Sequence, residues 1–385
     1  MTARPYLIYL QKWLVLSLAM GLITGSASAI FLLSLEQVTQ FREQRPWPYL
    51  GLPLGGFLVG WLYYRYGREA EAGNRLVFSS IQHPEQQIPI RMAPLVYLGT
   101  LITHLFGGSA GREGTALQMA AALSYPLKKW VNKDELPVVL LAAVAGGFGS
   151  VFGTPLAGAV FAMEVSKKRS ALPAFATALI ANQVTQLWQV QHTHYAVDRI
   201  PELHVQHLFS AGLAGLAFGL CAAVFLHSYA YSSSFIKKHI HYPPLRPLMG
   251  GLILVILYTL IDAPRYMGLG IPTLLESFSE ASPPAYFALK LGLTVLTLSA
   301  GFKGGEVTPL FFIGATLGSF LSTLVPLPLG LLAAMGFVSV FGAAAKTPVA
   351  CVLLGMELFG YESLPFIATA CAVAYFCSGK KNIYK

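Results

Sequence analysis

The chain has 385 residues, of which 55% are hydrophobic and 11% charged, with a net charge of +9 and a mean hydropathy of +0.59. Soluble domains carry about 25% charged residues, so this composition excludes an ordinary soluble globule and points to a chain that crosses a membrane many times. The basic residues form short clusters, such as Lys128, Lys129 and Lys133 or Lys167, Lys168 and Arg169, with no basic stripe interleaved with aromatics. That pattern excludes a nucleic-acid partner and reads as loop charge on the cytoplasmic side. Both termini are expected there, with an even number of crossings.

In chain order, the run at 13–34 (WLVLSLAMGLITGSASAIFLLS) is too long for the apolar part of a signal peptide, so it is read as the first helix. Further apolar runs follow at 207–230, 246–261, 285–301 and 325–345. By length, about ten to twelve spans are expected, several of them broken by glycine and proline. The cysteines, Cys221, Cys351, Cys371 and Cys377, lie in apolar segments without a C-x-x-C and read as buried small hydrophobes. His192, His194, His239 and His241 lack acidic or thiol partners nearby, so no metal site is expected. GGSAG at 107–111 matches the G-x-S-x-G pattern, with His104 as a conceivable base for Ser109. Its flanks are apolar helix rather than a strand-to-helix elbow, and a hydrolase is set aside.

The chain carries an internal repeat. TPLAGAVFAMEV begins at Thr154 and TPVACVLLGMEL at Thr347, an offset of 193 residues. The same offset carries GREGTALQM at 111–119 onto GGEVTPLFF at 304–312, so that Glu113 meets Glu306 and Thr115 meets Thr308. A weaker third pair joins AGNRL, near Gly73, to MGLGIP, near Gly268. Two halves are expected, 12–195 and 205–378, with PELHVQH at 201–207 as the linker. Glycine- and proline-broken apolar segments in matching places favour an inverted repeat, with the substrate site near the midplane.

Each shared segment has a glycine-rich approach followed by an apolar helical run. A helix that starts inside the bilayer leaves its first N–H groups unpaired, which is tolerable where the backbone lines a cavity or is buried in protein. Such N-termini carry partial positive charge and aim donors at an anion. Glycine allows the backbone to come close, and a proline suits the first turn. Close helix packing is the plainer use of any one such glycine; four segments in matched register favour the anion. At a site of this kind the carboxylate of Glu113 would itself occupy the anion's place, and on protonation would swing away. It is therefore the candidate gate and proton carrier, with Glu306 as a second proton site. Adjacent residues on a helix do not face one another, so Arg112 is expected to face a loop or headgroup. Glu164 and Glu357 read as structural polar contacts. The residues by themselves reach a small-anion transporter with a proton-coupled gate.

At these positions the sequence resembles the CLC family of chloride channels and chloride/proton antiporters. The signature G-R-E-G-P appears as GREGT at 111–115, the G-x-F-x-P segment resembles GGEVTP at 304–309, and YMGLGIP at 266–272 and TPLAGAVFAMEV are also family-like. The resemblance covers nearly the whole chain. It implies an all-α polytopic fold of two inverted repeats with broken helices, working as a homodimer with one pathway per subunit, in the plasma (inner) membrane of a prokaryote. With the chain ending at Lys385, a single transmembrane domain over 1–385 without a cytoplasmic regulatory domain is expected.

The departures point to one branch. Asn74 stands where the family's chloride-binding serine is expected, Thr115 replaces the proline of GREGP, and Glu306, Val307 and Thr308 remodel the third signature. Val165 stands where chloride antiporters carry an inner proton-relay glutamate. Together these resemble the CLC-F fluoride/proton antiporters, and KNIYK at 381–385 resembles the segment with the family's pore tyrosine, here Tyr384. The resemblance thus implies anion-binding positions at Asn74, Gly111, Gly114, Thr115, Gly305, Val307, Thr308 and Tyr384. The expected partners are fluoride and protons, with chloride as a competing anion, membrane lipid and a second subunit; no cofactor or enzymatic activity is expected. An Asn amide offers two N–H donors and a Thr hydroxyl one, compact donors that suit a small, strongly hydrated ion. A chloride/proton antiporter and an uncoupled anion channel are the alternatives, the latter kept open by Val165.

Overall fold

The computed structural model describes residues 3–261 and 263–384; Lys385, the last residue of the KNIYK stretch, lies outside the described residues. The described residues form sixteen α-helices joined by loops and 3-10 turns. They are α1 (Ala3–Glu43), α2 (Leu52–Tyr66), α3 (Asn74–Gln82), α4 (Met92–Leu105), α5 (Glu113–Ser124), α6 (Leu136–Phe152), α7 (Pro155–Ser166) and α8 (Ala171–Leu187). The stretch between α8 and α9 is irregular over 188–204, so the linker expected at 201–207 lies further upstream and its last three residues are already helix; then come α9 (Val205–His239), α10 (Leu245–Leu260), α11 (Ile271–Glu276), α12 (Pro284–Ala300), α13 (Val307–Leu321), α14 (Leu329–Ala345), α15 (Pro348–Phe359) and α16 (Leu364–Cys377). The protein is a polytopic all-α membrane protein.

Among the described residues, three helical stretches are long and apolar enough to cross a bilayer alone: Ile8–Glu43, Lys133–Phe152 and Val205–His239. Eight more apolar helices are 10–17 residues long. The apolar runs are therefore cut into shorter pieces than hydropathy alone suggests. The cuts fall where glycine or proline ends one helix and starts the next. Gly153 closes α6 in the left-handed region at φ +75°, and Pro155 then opens α7. The second pair repeats this geometry with Lys346 at φ +59° and Pro348. A lysine in that region costs more than a glycine. Its ammonium compensates by donating to Tyr375 O at 3.1 Å and Ser378 Oγ at 2.7 Å. The bounds of α2, α6, α7 and α8 all recur near or at the 193-residue offset, in α10, α14, α15 and α16.

The chain folds into two compact units that interleave along the sequence. One comprises residues 1–34, 69–97 and 116–193; the other 35–68, 98–115 and 194–385. In the first, α6 packs between α7 and α8, with the Phe148 and Phe161 rings stacked at 4.3 Å. Gly21 and Gly25 of α1 lie directly on Ile180, Ala181 and Val184 of α8, with no room for a side chain. In the second, α13 and α14 meet through glycine. A Cβ on Gly314 would come within 2.0 Å of Gly336 O, and one on Gly318 within 2.0 Å of Leu332 O. Small residues let apolar helices approach closely where no solvent drives them together. Phe311 of α13 stacks on Phe337 of α14 at 4.0 Å in the same seam.

Candidate anion site

The two signature stretches meet. Gly111 and Gly305 form an isolated antiparallel bridge, Gly111 N–H donating to Gly305 O at 2.5 Å and Gly305 N–H to Gly111 O at 2.7 Å. The approach demands glycine. A Cβ on Gly111 would lie 2.8 Å from Glu113 Oε2, 2.9 Å from Pro309 Cδ and 3.0 Å from Gly305 O. A Cβ on Gly305 would sit 2.8 Å from Gly114 N, so the backbones at the start of α5 and before α13 are nearly in contact. Gly304 adopts φ +151°, a conformation side chains disfavour.

This crossing delivers the carboxylate of Glu113 to the N-terminus of α13. Glu113 is fully buried. Its Oε2 accepts the backbone N–H of Thr308 at 3.1 Å and that of Arg112 at 3.2 Å, and its Oε1 accepts the Thr308 hydroxyl. Two donors from the first turn of one helix, with that helix's positive end, thus hold a carboxylate from another. This is the arrangement in which an anion would be held, and Glu113 fills it.

Arg112 corrects the expectation made for it. Its Nε lies 3.7 Å from Glu113 Oε1, and its side chain is only 18% exposed. Helical spacing does not govern the pair because α5 begins at Glu113; Arg112 is in the bend before it, where neighbouring side chains can converge. A positive charge therefore stands beside the carboxylate as well as the helix end.

The other expected positions divide. Glu306 is the N-cap of α13, Val307 its first residue, and both are buried. Tyr384 is buried, interacts with Glu306 and lies within electrostatic reach of Glu113. Its position comes from a hook that sequence reading did not reveal. Asn382 Nδ2 donates to Ala345 O at 3.0 Å and Ile383 N–H to Ala344 O at 3.1 Å, capping open carbonyls at the end of α14. Thr115 is buried, but its hydroxyl bonds Thr100 Oγ1 at 2.6 Å and so ties α5 to α4. Asn74 is the first residue of α3 and belongs to the unit that holds residues 116–193; its Oδ1 accepts Gln118 Nε2 at 3.2 Å.

Polar groups that the sequence reading passed over support the surrounding loops. Lys290, fully buried in α12, donates to Tyr266 O at 2.9 Å and Gly268 O at 2.7 Å, fastening the MGLGIP stretch. Arg42 Nη1 donates to His104 O at 3.0 Å at the end of α4. Lys290 had a visible signal, as the lone charge in an apolar run. Ser109 takes no part in a triad: its Oγ bonds Thr294 Oγ1 at 2.9 Å, while the His104 ring lies between Thr100 O and Ala110 O.

A family model described as "Voltage gated chloride channel" matches residues 55–379. The chain belongs to the voltage-gated chloride channel family. Within that family, it is 44% identical to a chloride/fluoride channel protein of Pseudomonas syringae pv. tomato, over 98% of this chain and 86% of that one. It is 25% identical to the voltage-gated ClC-type chloride channel ClcB of Salmonella dublin, over 95% and 89% of the two chains. Among solved structures, it matches a CLC-type fluoride/proton antiporter with TM-score 0.94 at 38% identity, covering 97% of each chain. A slow cyanobacterial Cl−/H+ antiporter matches with TM-score 0.85 at 19% identity, covering 97% of this chain and 96% of that one, which supports the CLC fold alone.

Proposed function

We propose that this CLC protein is a fluoride/proton antiporter that exports cytoplasmic fluoride as protons enter. The observation that carries the reading is the Glu113 carboxylate docked on the Thr308 N–H and hydroxyl at the start of α13. A carboxylate and a fluoride ion need the same donors and cannot hold them together. Ionised Glu113 closes the site; a protonated side chain loses its attraction to the positive helix end and leaves the donors to the anion. One side chain thus ties anion movement to proton movement. The fluoride assignment rests on the likeness to the 44% identical chloride/fluoride channel protein and the 38% identical fluoride/proton antiporter, and on Asn74, whose amide supplies N–H donors.

In this reading Gly111, Gly114 and Gly305 shape the crossing that sets the donors, and Val307 and Thr308 supply the first turn. Glu306 is a second proton site and Tyr384 lines the pathway beside it. The halves 12–195 and 205–378 are inverted repeats. The protein works as a homodimer in a prokaryotic inner membrane with both termini cytoplasmic. Val165 favours a second reading, an uncoupled anion channel, because the inner relay glutamate of chloride antiporters is missing.

Efflux from proteoliposomes loaded with fluoride or chloride, with external pH recorded, separates these readings. Fluoride efflux with matched proton uptake and little chloride efflux is expected. Fluoride efflux without proton movement would make the protein a channel, and equal or faster chloride efflux would remove the fluoride assignment.

A further inference from the structure

We infer that Gln118 is a positioning residue for anion selection: it holds the Asn74 amide with its carbonyl end occupied and its N–H2 end free for an anion. The inference rests on the reading of Asn74 as an anion donor.

Gln118 is the last polar side chain in GREGTALQM, and the run that follows it, MAAAL, is apolar. It is 7% exposed. A buried primary amide needs hydrogen-bond partners, so its place on α5 has to be matched by a neighbouring polar group. That group is Asn74, whose Oδ1 accepts Gln118 Nε2 at 3.2 Å. The same amide lies under Gly73, the N-cap of α3. A Cβ at Gly73 would stand 3.3 Å from Gln118 Nε2, and the residue adopts φ +57°. Gln118 therefore holds the first residue of α3 and fills the space a side chain at Gly73 would need.

An asparagine amide has two unlike ends, an acceptor that repels anions and a donor that attracts them. They exchange places on a half-turn of the side chain, so Asn74 by itself is an anion ligand in only one orientation. Gln118 chooses that orientation by donating: the oxygen is drawn onto Gln118 and Nδ2 becomes the outward end. A serine hydroxyl needs no such brace, because it turns its proton to suit the anion. The substitution to Asn at this position calls for a second amide to direct it, and Gln118 supplies it. Fixing the donor before the ion arrives favours a small ion that tolerates little misplacement.

The test compares fluoride and chloride efflux from proteoliposomes bearing wild type, Gln118→Met, Gln118→Glu and Asn74→Ser. Gln118→Met keeps the length and removes the donor. Its fluoride-to-chloride ratio is expected to fall about fivefold, within the range of one lost neutral hydrogen bond, while protons moved per fluoride stay unchanged. Gln118→Glu accepts instead of donating, so it draws Asn74 Nδ2 inward and should lower the ratio further. If either variant fails to yield monodisperse protein, the exchanged pair Asn74→Gln with Gln118→Asn restores an amide contact and is expected to recover part of the ratio lost in Gln118→Asn alone. Wild-type ratios in the Gln118 variants, or no recovery in the exchanged pair, alongside a lowered ratio in Asn74→Ser would overturn the positioning role and leave Asn74 in place. An unchanged ratio in Asn74→Ser would overturn the reading of Asn74 itself.

Discussion

The starts of α5 and α13 carry a glycine, a glutamate and a threonine at one offset and use them differently. Glu113 is the first residue of its helix, and its carboxylate leaves that helix to take the donors of the other. Glu306 is the N-cap of α13 and stays beside Tyr384. The Thr308 hydroxyl donates to Glu113, whereas the Thr115 hydroxyl shares a hydrogen bond with that of Thr100. The lesson is that a repeat supplies two similar helix ends, and the crossing at Gly111 and Gly305 decides which one receives the carboxylate. In the function proposed above, the gate is an asymmetric use of two similar helix starts.

The sharpest way to break this contrast is at the two acids. Glu113→Gln removes the ionisable carboxylate and is expected to abolish proton movement against fluoride in vesicles. Persistence of proton exchange at the wild-type rate would leave Glu113 without its gating role. Glu306→Gln is expected to slow exchange but keep fluoride movement, because the Glu306 side chain makes no capping hydrogen bond to α13, whereas Glu113 takes the Thr308 N–H and hydroxyl there.

Next in size is Gly111→Ala. The added methyl has backbone and proline carbon within 3.0 Å, so the crossing must open. A loss of about 1–3 kcal/mol of stability from overpacking is expected, visible as a lower melting temperature in detergent, together with loss of exchange. Wild-type melting would mean that the two stretches are not held together as described.

Thr308→Val removes one charge-assisted donor and keeps the backbone N–H. Such bonds contribute about 1.5–3 kcal/mol, so exchange should slow by roughly tenfold or more. Thr115→Val, the same substitution at the matching position, loses only a neutral hydrogen bond to Thr100. A stability change of about 1 kcal/mol and an exchange rate within about twofold of wild type are expected. Equal effects of the two valine substitutions, read as initial fluoride efflux rates, would erase the functional difference between the helix starts.

Much of the architecture was legible because the breaks in apolar runs are written in glycine and proline. Gly153 followed by Thr154 and Pro155, and Lys346 followed by Thr347 and Pro348, mark helix ends that the structure bears out. Length was harder to read: runs that suggested about ten to twelve spans contain many helices shorter than a bilayer crossing. Hydropathy reports burial in an apolar medium, and a half-helix inside protein is as apolar as a full span.

Of the site, the sequence by itself determined the chemistry: a glutamate among glycines, a second acid at the same offset, and Asn74 where a hydroxyl was expected. The two acids follow from residue type and spacing, since an ionisable group in an apolar run has few other uses; Asn74 stands out only against the pattern of the family the sequence resembles. Only the tertiary structure decided the partners. That Arg112 turns back on Glu113, that the carboxylate lies on Thr308 nearly two hundred residues away, and that Gln118 holds Asn74 all depend on where loops and helix ends meet. Local spacing carries no record of such meetings, because a hydrogen bond between distant segments is set by how close backbones can pack, and here bare glycine Cα atoms set that distance.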